Sequence, residues 1–85
     1  MLGAVTNGEQ AMMTQPYVRL TDPMFPEEGV VIINVEVRHH DHVWICVESF
    51  KGVDEETVRI EAEHLAATLE INEEERLRYI DMALD

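Results

Sequence analysis

The chain contains a single cysteine, Cys46, so no disulfide can form within it and the stapled scaffold of a small secreted domain is excluded. Lysine and arginine together number only six, too few to neutralise a run of phosphates, which argues against direct binding to DNA or RNA. Nowhere do eighteen apolar residues run together, as a membrane-crossing helix requires. Met1–Val5 shows neither the basic start nor the apolar stretch of a secretory signal. A cytoplasmic protein without membrane contact is the expectation. Glycine and proline are sparse, at four and three, and no repeat or low-complexity segment is present.

What remains is acidic and able to fold. Hydrophobic residues make up 46% of the 85, ordinary for a globular domain and too many for a disordered acidic tail. A chain of this length leaves little core for an enclosed active site, so a binding domain rather than an enzyme is expected, with no cofactor. The formal net charge is −12, unevenly spread. Met1–Glu28 holds four acids and one Arg, Gly29–Phe50 three and one, and Lys51–Asp85 eleven acids against four bases. Such a field repels nucleic acid and anionic membrane and steers basic surfaces toward it.

Residues 1–15 show no sustained period and read as a flexible N-terminal arm, leaving 16–85 as one small domain. Tyr17–Leu20 suits a short edge strand, and Thr21-Asp22-Pro23 and Phe25-Pro26-Glu27-Glu28-Gly29 suit turns. Val31, Ile33, Val35 and Val37 alternate with Ile32, Asn34, Glu36 and Arg38, as a half-buried strand requires. His39, His40, Asp41 and His42 interrupt that pattern before Val43, Ile45 and Val47 resume it, which predicts an antiparallel hairpin. Cys46, within the apolar run Val43–Val47, is expected as a core thiol.

Two periods compete over Asp54–Ile71. As a helix, Asp54 is the N-cap and Val58, Ala62, Leu65 and Leu69 form one apolar stripe, with Ile60, Ala67 and Ile71 nearly opposite. As strands, Val58, Ile60 and Ala62 alternate with Arg59, Glu61 and Glu63, and His64-Leu65 is the turn. No Gly, Asn or Pro lies between Val53 and Ile71, so that turn lacks the residues its backbone favours. Alanine, leucine and glutamate dominate the stretch and favour helix. Asn72 with Glu75 then starts a second helix, lined by Leu77, Ile80 and Leu84. The predicted fold class is α+β: an antiparallel β-hairpin or small three-stranded sheet followed by two C-terminal helices, the alternative being an all-β sandwich fragment.

The passage Phe50-Lys51-Gly52-Val53-Asp54-Glu55-Glu56-Thr57-Val58-Arg59-Ile60-Glu61 resembles the strand-loop-strand segment of the α-crystallin domain of small heat-shock proteins. The resemblance implies the all-β alternative, an antiparallel sandwich that binds partly unfolded clients. It covers about a dozen residues and departs from that family's usual proline at Lys51.

The candidate chemistry is sparse. On an extended backbone His40 and His42 share a side, a weak pairing for a transition metal, since a specific site needs three or four convergent ligands; a hydrated hairpin tip is the plainer reading and no metal is expected. Protonating all four histidines would add four positive charges to the −12 and weaken the acidic field. No nucleophile stands beside a base at a telling spacing, and no phosphate-binding loop occurs. The acidic surface is the remaining candidate. On a helix Glu56, Glu63 and Glu70 recur every seven residues, about 10.5 Å apart, with Glu55 beside them and Glu73 and Glu74 continuing past the break. Such a row fits the basic groove of a nucleic-acid-binding protein, as in phage or mobile-element inhibitors of the DNA-mimic or anti-CRISPR kind. Leu77, Ile80 and Leu84 are candidate anchors for a partner or a homodimer. The competing expectation is a chaperone-like or structural assembly subunit, in which the charge serves only solubility.

Overall fold

The computed structural model describes residues 16–85, and the expected N-terminal arm at 1–15 lies outside them. Four strands are followed by two helices: β1 (Val18–Leu20), β2 (Met24–Glu27), β3 (Val30–His40), β4 (Val43–Gly52), α1 (Glu55–Ile71) and α2 (Glu73–Leu84). The arrangement is α+β, an antiparallel sheet with two C-terminal helices packed on one side.

β3 is the axis of the sheet. β4 pairs along nearly all of it, Val31 opposite Gly52 and His40 opposite Val43. β1 pairs with Val35–Val37 and β2 with Val30 and Ile32. A strand has two edges, so β1 and β2 must lie end to end along the edge that β4 leaves. Thr21 joins them, its N–H donating to Asn34 O and its hydroxyl accepting from Asn34 N, both at 3.0 Å. The stretch expected as turns thus contains a strand, Met24–Glu27, in spite of Pro26. An outer edge tolerates proline because the N–H it lacks would have faced solvent. Gly29, at φ +79°, closes the β2–β3 turn in a region that side chains with a Cβ rarely enter.

The alternation along β3 resolves as expected. Val31, Ile33, Val35 and Val37 are buried at 2% exposure or less and form the core with Val18, Val58, Ala62, Leu69 and Ile80. Cross-sheet pairing shifts twice, leaving Val47 and His39 as extra residues, and such bulges bend a strand and sharpen its twist. Cys46 does not join the core. It sits opposite Glu36 on the helix-free face and is exposed, because one-residue alternation puts Ile45 and Val47 on the buried side and Cys46 between them on the other.

The competition over 54–71 is settled by a single helix of 17 residues. Asp54 caps it, accepting from Thr57 N at 3.1 Å and Thr57 Oγ1 at 2.6 Å. Val58, Ala62 and Leu69 of the expected stripe are buried and Leu65 is half-buried. The strand-loop-strand reading of Phe50–Glu61, and with it the sandwich that the α-crystallin resemblance implied, does not hold: β4 ends at Gly52 and Glu55 is already helical. The local glycine serves close packing instead, since a Cβ at Gly52 would stand 2.8 Å from Val58 Cγ2. Asn72 then ends α1, its N–H donating to Thr68 O at 3.1 Å, and caps α2 by accepting from Glu75 N at 3.0 Å. No helix among the described residues is long and apolar enough to cross a membrane.

Candidate functional site

The carboxylates picked out along the helices divide into two groups. Glu56 and Glu63 lie on one edge of α1, exposed and outside any ion pair among the described residues. Glu73 and Glu74 are exposed in the first turn of α2, where the helix macrodipole favours negative charge. The other two are occupied. Glu55 pairs with Arg59 one turn on, at 2.6 Å, and Glu70 turns back to the sheet, accepting from Tyr17 N at 3.0 and 3.1 Å and from Val18 N at 3.0 Å. Glu70 therefore holds β1 against α1, and the open part of the row is Glu56 and Glu63, with Glu73 and Glu74 past the break.

Beside that row runs an apolar crest. Ile60, Ala67 and Ile71, at i, i+7 and i+11, form an exposed stripe of α1, Ile60 at 58% and Ile71 at 86% exposure. Between α1 and β4 lies a shallow depression of about 590 Å³ lined by Phe50, Ile60, Glu61, His64 and Leu65. On α2 the three candidate anchors separate: Leu77 and Leu84 are open to solvent, whereas Ile80 is buried in the core and unavailable to a partner.

The histidine cluster forms the far end of the hairpin. His39 and His40 bring their ring centroids within 4.1 Å, and with Tyr17, Arg38, Asp41, His42 and Val43 they line a second open depression of about 540 Å³. The chain turns at Asp41-His42, so the extended backbone that would put His40 and His42 on one side is not present. No group of three or more His, Cys, Asp or Glu suited to a metal occurs among the described residues. On the helix-free face Arg19 pairs with Glu36 at 2.7 Å and covers Trp44 at 4.2 Å. Ser49 Oγ donates to Asn34 Oδ1 at 2.6 Å, with Cys46 Sγ 3.8 Å from the same hydroxyl.

Arg76 and Tyr17 went unrecognised in the sequence as a structural pair. Arg76 is 8% exposed; its guanidinium donates to Leu69 O at 2.8 Å and Glu70 O at 3.1 Å and stacks 4.0 Å from the Tyr17 ring centroid. The signal was helical spacing, for Arg76 lies four residues before Ile80 and shares its inward face. No protein family, curated protein or solved structure matches this chain.

Proposed function

We propose that this is a non-enzymatic, acidic protein-binding domain, an inhibitor that lays its helical carboxylates into the basic groove of a nucleic-acid-binding protein. The observation that carries the reading is the continuity of α1 over Glu55–Ile71, which sets Glu56 and Glu63 about 10.5 Å apart on one helix edge. Neither enters an ion pair among the described residues, Arg59 between them being taken by Glu55, and Glu73 and Glu74 extend the negative surface around the Asn72 corner. Electrostatics of this kind set the rate of encounter, and apolar contacts set residence time. The crest of Ile60, Ala67 and Ile71 lies alongside to supply them. Spacing of carboxylates along a rigid edge is what distinguishes a phosphate substitute from acidity spread for solubility.

The test is capture by the tagged full chain from a nuclease-treated lysate fraction that binds heparin, with bound proteins identified by mass spectrometry. A nucleic-acid-binding protein retained at low salt, released at high salt and displaced by DNA supports the reading. The same capture with Glu56→Lys, Glu63→Lys and Glu73→Lys combined should fail, since three reversals invert the proposed contact. Equal capture by wild type and triple variant would sink the proposal. Concentration-dependent self-association through Leu77 and Leu84, with no captured partner, would favour the assembly subunit instead.

A further inference from the structure

We infer that the open edge of β4 receives an extended segment of the basic partner as an added strand, one apolar side chain of which enters the depression between Phe50 and α1. The inference rests on the proposed binding of a basic protein and names the part of that protein that is held.

The two edges of the sheet differ. Along one, β1 and β2 offer three and four residues, broken at Thr21–Pro23 and carrying Pro26. Along the other, β4 runs ten residues without a proline and, among the described residues, pairs with β3 alone. Its outer N–H and C=O groups are a template for another strand. Past the bulge at Val47, the stretch Glu48–Gly52 pairs without interruption with Val31–Val35, so its outer side is regular as well.

Strand addition needs a pocket for alternate side chains, and one lies above this stretch. Phe50 is opposite the buried Ile33, so its side chain rises on the helix side of the sheet. Ile60, Glu61, His64 and Leu65 of α1 complete the depression around it. A strand laid against β4 sends every second side chain to that same side, and the residue beside Phe50 meets a mainly apolar lining. Charge selects the occupant. On the helix side Glu48 on β4 and Glu61 on the rim flank the position, Lys51 lying on the opposite face across from Ile32, within a chain of formal charge −12. A second copy would bring another −12, and residues 1–15 contain no Lys or Arg. A segment with Lys or Arg on either side of one aliphatic residue meets both requirements.

The experiment uses the 15N- and methyl-labelled full chain and two blocked peptides, KTKVLVKTK as the strand probe and KGKGKGKGK as a probe of charge alone. Saturable shifts at Glu48–Gly52 amides and Ile60 and Leu65 methyls, with slowed exchange along β4, are expected from the first peptide only. N-methylation of alternate peptide amides on the pairing side, or Ile60→Gln in the protein, should weaken binding about tenfold; Ile60 is exposed, so that variant leaves the core untouched. Shifts confined to Glu56, Glu63, Glu73 and Glu74, and equal for both peptides, overturn the edge while leaving the acidic face standing. Silence with both peptides overturns the edge and weakens the basic-partner reading together. Protection of β4 that grows with protein concentration alone overturns the inference in favour of a second copy.

Discussion

The two ends of α1 are secured by opposite means. At its start everything needed lies within four residues: Asp54 accepts both the amide and the hydroxyl of Thr57, and Glu55 and Glu56 sit where the macrodipole favours them. At its finish the last turn has no basic residue, and groups distant in sequence take over. Arg76 of α2 donates to Leu69 O and Glu70 O, while the Glu70 carboxylate accepts the amides of Tyr17 and Val18, more than fifty residues away. The first end is built by local chemistry and the second by the closed fold, so the second also fastens β1 and α2 to the body.

Disrupting the finish should therefore cost far more than disrupting the start. Arg76→Met keeps an apolar stem of similar reach but strips the donors from two helix carbonyls and the cation from the Tyr17 ring. The expected loss is about 3 kcal/mol, from hydrogen bonds of a charged donor and groups left unpaired on burial. Urea unfolding measures it, and a loss below about 1 kcal/mol would mean that the end of α1 does not depend on this contact. Glu70→Gln is milder, because an amide oxygen still accepts while the charge is lost. A cost of about 1 kcal/mol is expected, with faster amide exchange at Tyr17 and Val18. Exchange unchanged there would show that β1 is held by β3 alone.

The same division explains what could be read from the sequence. Features set by near neighbours were visible: the alternation of β3, the Asp54 and Asn72 caps and the helical stripe that ends in Leu69. Features set by tertiary closure were not. Met24–Glu27 contains Pro26 and reads as a turn until β3 offers an edge. Ile80 looks like one of three equivalent apolar anchors until α2 docks and buries it alone. Glu70 has the same heptad spacing as Glu56 and Glu63, and only the position of Tyr17 removes it from the row. Cys46 is the exception, for alternation with Ile45 and Val47 already assigned it to the outer face, and the apolar character of the run obscured that.

The smallest effect belongs to the start of the helix, and its sign can be followed with pH. The hydroxyl of Thr57, and after it the Thr57 amide, hold the Asp54 carboxyl below its ordinary value of 3.8, since both hydrogen bonds favour the ionised form. A depressed folded value means that this contribution is fully present above the ordinary value and fades as pH falls through the lower, folded one. Asp54→Ala should lower Tm at neutral pH by less than Glu70→Gln does, because the Asp54 cap is exposed and water replaces its hydrogen bonds. The gap to wild type should hold down to about pH 4 and narrow below it, without closing, because a protonated carboxyl still accepts through its carbonyl oxygen. Arg76→Met supplies the contrast, as the acceptors it abandons are the backbone carbonyls of Leu69 and Glu70 rather than a carboxyl. Thermal melts of both variants at pH 7, 5 and 3 make the comparison. A narrowing gap for Asp54→Ala beside a steady one for Arg76→Met separates the local, ionisable end of α1 from its tertiary end, and parallel behaviour of the two would erase the distinction.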